Sequence, residues 1–459
     1  MGIFGAMTTA VSGIRAQSFA LENIAGNIAN SRTTGFKRVD SSFVDLIPEA
    51  PRQRELAGSV QANSSSTNTI QGDISATGIG TNVALNGEGF FVVQERTSFA
   101  GGNPVFGGAD LFTRRGDFVL DRNGYLVNGA GYYLKGLPLD PATGAQAGSA
   151  AQILQVSTDN LPARRSTQIE YRANLPLTPA TANASASVPG SELLPIALFA
   201  VDPRPPSGGG AGFIQANEST QFLNNSIAGG AVTVYSDSGA PVNVQLRWAK
   251  LTNTAGANTW AAYYQENATA AGVTPQWRAL DQVYTFNANG QLTSPVSLPG
   301  TTFTVNGVSV GPTTFTVGAV AGLTQFSDSN GQVNVNTLRQ DGFPSGQLDS
   351  IGFGDGGRIV GNFSNGQVVG LAQISVAQFQ ADNFLKRRDG GAFEQTLESG
   401  EPILVDGGRS VVGGSLENSN ADIADEFSKM IVTQQAYSAN TRVISTSQQM
   451  LQDIINIVR

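Results

Sequence analysis

Both ends of the chain carry a heptad of apolar residues, and the long stretch between them reads instead as strand and turn. Met7, Ile14, Leu21 and Ile28 recur every seven residues, with Phe4, Val11, Ser18 and Ala25 three residues before each. A 3-4 alternation held over several turns is the pattern of helices that pack along a seam. The C-terminal run repeats it with Ile423, Met430, Tyr437, Ile444, Leu451 and Val458, and its alternate set is Phe427, Gln434, Thr441, Gln448 and Ile455. No Gly or Pro interrupts Leu416 to Arg459, and Ser419 with Asp422 forms a capping box. The spacing predicts a helix over 419–458, about 60 Å long at 1.5 Å per residue. An ordinary amphipathic helix packed on its own domain is the plainer alternative. Two heptad helices at opposite ends of one chain favour a coiled-coil-like α-helical domain made from paired N- and C-termini, 1–30 with 419–459.

The faces of the first helix away from this seam are small: Ala6, Ala10, Gly13, Ala16, Ala20, Gly26 and Ala29. Gly13 and Gly26 each weaken a helix by about 1 kcal/mol, and Arg15 and Glu22 are the only charges in residues 1–30. Alone, such a helix would fray. Each terminal helix therefore needs partners on more than one face.

Residues 31–75 are polar and punctuated by Pro, Ser and Asn, a connector with weak strand content. From about 76 onward short apolar runs are separated by turn signals. Phe118-Val119-Leu120 and Tyr125-Leu126-Val127 flank Asp121-Arg122-Asn123-Gly124, Phe286 and Leu292 flank Asn287-Ala288-Asn289-Gly290, and Phe363 precedes Ser364-Asn365-Gly366. Asn-Gly between apolar runs marks hairpins, because both residues tolerate positive φ. With 55 glycines in 459 residues, repeated hairpins point to all-β sandwich or barrel domains. The fold class expected is multidomain α+β, with helical ends and an all-β middle.

Chemistry is constrained by what the chain lacks. It has no histidine and no cysteine, which removes disulfides, thiolate nucleophiles, Cys/His zinc sites and the commonest general base. Gly307-Val308-Ser309-Val310-Gly311 matches a nucleophile elbow, but that motif needs a strand-to-helix turn and a histidine. Ser327-Asp328-Ser329-Asn330-Gly331 opens like a calcium loop without the closing glutamate. Phe90, Phe91, Phe112, Phe118, Tyr125, Tyr132 and Tyr133 fall in strand runs and read as core. No catalytic, cofactor or metal site is expected, and the chain is not read as an enzyme. A net charge of −8 argues against a nucleic-acid partner. No apolar run reaches the roughly 18 residues of a spanning helix, and the N-terminus lacks the basic start and apolar core of a secretory signal.

The ends carry a recognisable signature. Residues 21–37, LENIAGNIANSRTTGFK, resemble the N-terminal motif of the bacterial flagellar axial proteins (rod, hook and hook-associated) through Asn27, Ile28, Ala29, Asn30, Thr33, Gly35, Phe36 and Lys37. The C-terminal partner motif is matched by Leu416, Glu417, Ser419, Asn420, Glu426, Met430, Ile431, Gln434, Tyr437, Asn440 and Met450, with Gln435 where many members have arginine. Interior runs, GEGFFVV at 87–93, FTRRGDF at 112–118 and DRNGYLVNGAGYYLKG at 121–136, resemble the hook members of that family.

The resemblance implies a nested layout. The termini form the innermost domain, 31–75 and 406–418 the connector, 76–147 and 341–405 an inner β-domain, and 148–340 an inserted outer β-domain. It also implies a subunit of a curved, flexible hollow tube that transmits torque, exported without a cleaved signal peptide. The expected partners are further copies of itself, the distal rod, hook cap and hook–filament junction proteins, and the flagellar export apparatus. The seam residues Met7, Val11, Ile14, Leu21, Ile28, Ile423, Phe427, Met430, Tyr437, Ile444, Leu451 and Val458 are the expected self-assembly surface. Distal rod and hook–filament junction proteins are the nearer alternatives. A secreted β-rich adhesin with a coiled-coil stalk is the alternative from another class.

Overall fold

In the computed structural model the described residues are 3–46, 59–141, 143–157, 159–318, 322–406 and 410–457; Val458 lies outside them. Ile3–Ala29 and Ile423–Ile457 are long α-helices packed against one another. The C-terminal helix starts later than the sequence indicates. Asp422 is its cap, its Oδ1 accepting from the N–H groups of Ala424 (2.7 Å) and Asp425 (3.1 Å), whereas the Ser419 hydroxyl is taken by the Ala421 N–H at 3.2 Å. A carboxylate at the cap also meets the positive end of the helix dipole.

The face that joins the two helices is the small one. Ala10, Gly13, Ala16, Ala20, Ile24 and Asn27 are buried on the first helix, opposite buried Glu426, Thr433 and Ser447 on the second. Small side chains allow close backbone approach, and the buried hydroxyls are satisfied within their own helix. Thr433 donates to the Lys429 carbonyl at 2.7 Å and Ser447 to the Val443 carbonyl at 2.7 Å. A Cβ at Gly13 would lie 2.9 Å from the Asn440 amide nitrogen, so a larger residue there would have to displace the Asn440 side chain.

Two units divide the chain. The first comprises Met1–Asp159, Leu348–Phe363 and Val368–Arg459. After the first helix, Val39–Leu46 pairs antiparallel with Ser59–Ser66 as a two-stranded ribbon, within the stretch read as a connector with weak strand content. A sheet counted at thirteen strands among the described residues follows. Its spine is Phe90–Ala100, Tyr132–Pro138 and Val368–Gln378, with Arg358–Phe363 and Leu348–Phe353 beyond. Phe91 and Val93 enter one core with Phe118, Leu134 and Val376, while Phe90 and Val92 enter another with Phe112, Leu385 and Phe393. Burial on both faces explains why this strand is apolar without interruption rather than alternating. Of the aromatic residues read as core, Tyr125 alone is only half-buried, edge-on to Phe106 and Tyr133.

The second unit is Asn160–Gln347 with Ser364–Gln367. Its start lies past 148 because Gln152–Ile153 still pairs with Tyr132–Pro138 of the first unit's sheet. A five-stranded and a six-stranded sheet share one core, which makes this unit a sandwich. At its centre the Tyr171 hydroxyl accepts from Trp248 Nε1 at 2.9 Å and donates to the Gly229 carbonyl at 2.9 Å. Burial drives the phenol's pKa up. Ser309 lies on the hairpin Ser297–Val305/Val308–Thr316, strand on both sides of the turn, so the nucleophile-elbow match has none of its required geometry.

Candidate functional site: the helix elbow

Where the first helix ends, the chain must turn, leave the helix pair and enter the sheet while burying several polar groups. The motif residues 27–37 and 416–420 do this together. Asn27, 2% exposed, acts as an extra strand partner. Its Oδ1 accepts from the Val39 N–H at 2.9 Å and its Nδ2 donates to the Val39 carbonyl at 2.9 Å and to Glu426 Oε2 at 3.0 Å. Lys429 Nζ closes the set on Glu426 Oε1 (2.8 Å) and Asp40 Oδ1 (3.2 Å). Burial works against that ammonium, but the hydrogen bonds to Glu426 and Asp40 prevail and hold its pKa above the ordinary value.

The turn itself is made by Asn30 and Thr33, whose hydroxyl donates to Asn30 Oδ1 at 3.1 Å, and by Gly35. Gly35 sits at φ +65° with its N–H on the Glu417 carbonyl at 2.8 Å, and a Cβ there would lie 2.7 Å from the Arg114 carbonyl carbon. Only glycine meets both demands. Asn420 bridges the two chain segments, accepting from the Arg38 N–H at 2.7 Å and donating to the Ile70 carbonyl at 3.1 Å.

At the centre is a charge triad. Glu417, fully buried, receives Lys37 Nζ on Oε1 at 2.6 Å, the Gly72 N–H on the same oxygen at 2.9 Å, and Arg114 Nη1 on Oε2 at 3.1 Å. Lys37 is 1% exposed and also donates to the Ile70 carbonyl at 2.6 Å. Burial outweighs the pull of Glu417 and sets the Lys37 pKa below the ordinary ammonium value. The triad ties the segment after the first helix and the segment before the C-terminal helix to Arg114, which follows the strand Leu111–Thr113.

Of the motif residues read from sequence, Asn27, Asn30, Thr33, Gly35, Phe36 and Asn420 converge on this elbow. Asn440 lies further along the C-terminal helix against Gly13, and Gln434 is exposed. The heptad residues sit apart from it. Met7, Ile14, Leu21, Ile28, Met430, Ile444 and Leu451 are half-buried, whereas Val11, Ile423, Phe427 and Tyr437 are exposed at 39, 42, 49 and 39%. The helix pair thus consumes the small-residue face and leaves a large part of the apolar seam uncovered. Sequence reasoning missed the triad as a unit. The available signal was Lys37, Arg114 and Glu417, three charges inside motif runs of a chain in which 14% of residues are charged.

Four family models match, together covering more than half of the chain: the basal body rod protein model at 7–37, the hook protein FlgE/F/G D1 domain at 84–161, the basal body protein FlaE D2 domain at 215–343, and the rod FlgEFG C-terminal model at 412–457. The flagellar hook protein FlgE of Brucella suis is 29% identical over 463 residues, covering all of both chains. The chain belongs to the flagellar hook protein family. FlgE of Salmonella typhimurium is 28% identical over 98% of both chains. Among solved structures, Helicobacter pylori hook protein FlgE2 aligns with a TM-score of 0.49 at 16% identity, covering 76% of this chain and 99% of that one. The rod model falls on the first helix and elbow, and the FlgEFG C-terminal model on the second helix. The elbow residues 27–37 and 416–420 lie inside these two models.

Proposed function

We propose that this chain is the structural subunit of the flagellar hook, polymerising into a curved, flexible hollow tube that transmits torque from rod to filament. The observation that carries the reading is the unused seam. A helix pair already joined by its small face presents Val11, Ile423, Phe427 and Tyr437 to solvent, and contacts between unlike patches that do not close a ring build a helical filament. In this reading the termini form the innermost layer, the second unit is the outer inserted domain, and the elbow fixes the angle between helices and sheet. The family is a structural one, and the role it implies is not enzymatic.

Distal rod, hook cap and hook–filament junction proteins are the expected neighbours. The chain passes the flagellar export apparatus and resides in the extracellular hook. No helix among the described residues is long and apolar enough to cross a membrane. Negative-stain imaging of the purified chain under polymerising conditions tests the proposal: a curved tube supports it, and a straight rod or no polymer contradicts it.

A further inference from the structure

Beside the elbow, Arg387 is held without a counter-charge. Its neighbours on either side pair with Glu394, Lys386 at 3.6 Å and Arg388 at 2.8 Å, and Lys37 and Arg114 pair with Glu417. No carboxylate among the described residues pairs with Arg387, and its buried Nε has no hydrogen-bond partner. The guanidinium is stacked between two rings, 5.1 Å from the centre of Phe36 and 5.9 Å from that of Phe393. Burial alone acts on it and lowers its pKa, unlike Arg115 and Arg278, whose partners Asp117 and Glu266 raise theirs. It remains a cation, since arginine does not lose its proton in proteins.

A cavity of about 200 Å³ opens against this group, lined by Asn30, Thr33, Phe36, Gly391 and Phe393 among others. That volume is several times the share of one water molecule, about 30 Å³, and accommodates a carboxylate-bearing side chain. The Asn30 amide is spent on the Gly26 carbonyl and the Thr33 hydroxyl on Asn30. The guanidinium is thus the donor left for an incoming group. A planar fork held between aromatic faces is suited to a carboxylate, and the chain supplies that chemistry itself, with 35 Asp and Glu against 27 Lys and Arg.

We infer that the Arg387 cavity receives a carboxylate side chain from a second copy of this chain when subunits assemble. The inference rests on the hook-subunit reading. It explains why a half-buried cation is kept unpaired in the single chain: its partner arrives with the neighbour.

The test compares wild type with Arg387→Gln and Arg387→Lys, measuring the critical concentration for tube formation by sedimentation at about 50 mM and about 300 mM salt, which span a wide range of screening. Arg387→Gln is expected to raise the critical concentration about tenfold at low salt, the equivalent of roughly 1.4 kcal/mol, and to flatten its salt dependence; Arg387→Lys should recover part of both. The group makes no ion pair in the monomer and only the two ring contacts, so the glutamine variant should melt no more than a few degrees below wild type as a monomer, at about 2–4 °C per kcal/mol. Assembly of Arg387→Gln at the wild-type concentration with the wild-type salt dependence overturns the inference and leaves the hook reading standing. A monomer melting more than about 10 °C lower, beyond what the two ring contacts supply, assigns Arg387 a purely structural role and overturns it too. Stabilisation of the wild-type monomer by acetate or phosphate, with assembly of the variant unchanged, makes the cavity a small-anion site instead. Failure of the wild type to form tubes removes the hook reading itself, and this inference with it.

Discussion

Glu417 is the residue on which the elbow turns, because one carboxylate pairs with two cations, neither of which makes another ion pair among the described residues. Breaking a buried pair by removing one partner strands the other charge, which costs about 3–5 kcal/mol. Glu417→Ala should therefore destabilise the first unit by that amount in urea denaturation, more than the loss of an exposed ion pair such as Arg339 with Glu170, which solvent screens. Asp382 makes the opposite case. Its Oδ1 is buried without a partner, and burial raises its pKa, with Glu88 adding to the rise and Arg114 and Lys37 opposing it. A carboxyl whose folded pKa exceeds its unfolded one stabilises fully below the unfolded value and loses that contribution as pH rises through the folded value. Asp382→Asn should then be more stable than wild type at pH near 7 and equal to it below about pH 4, which urea midpoints at the two pH values will read. From the sequence the motif residues could be found but not their wiring. Lys37 and Glu417 are 380 residues apart, and no periodicity connects them.

Helices and ribbon show what pattern can and cannot reveal. The 3-4 repeat located both helices, and the Asn-Gly signals located their hairpins, Phe118–Leu120 pairing with Leu126–Asn128 and Phe286 with Leu292. Which face of each helix meets the other was not legible. Apolar stripes attract attention, yet Ala10, Gly13, Ala16 and Ala20 make the pairing, because small residues let backbones approach where the monomer has one close partner. The two glycines of the first helix separate accordingly. A Cβ at Gly26 meets nothing within 4 Å, so Gly26→Ala should stabilise by about 0.5–1 kcal/mol. Gly13→Ala presses on Asn440 and should lose more than it gains. Denaturation followed by far-ultraviolet circular dichroism distinguishes the signs. For the seam, Val11→Asp and Phe427→Asp place a charge on surface that is exposed in the single chain. Monomer melting should be unchanged while sedimentable polymer is lost, since an unpaired carboxylate buried between subunits recurs at every contact. Polymer formation at the wild-type concentration would remove the seam from the assembly surface.

At the scale of the molecule, the second unit interrupts the first between Asp159 and Leu348, and each has its own core. The family resemblance implied an insertion from 148 to 340; Gln152–Ile153, which pairs with Tyr132–Pro138 of the first unit, is a two-residue strand too short for any sequence pattern to mark. Replacing 160–347 with a short Gly/Ser linker should leave the first unit folded and able to assemble, checked by its melting transition and by sedimentation. Loss of folding would show that the insertion is energetically required. The central claim is that the paired termini build the tube wall through the seam left open by their small-residue pairing. A cryo-EM map of the polymerised chain tests it most directly. The account predicts both terminal helices in the innermost layer, with Val11, Ile423, Phe427 and Tyr437 buried against neighbouring copies. Terminal helices on the outside of the tube, or those four side chains facing solvent in the assembled wall, would contradict it.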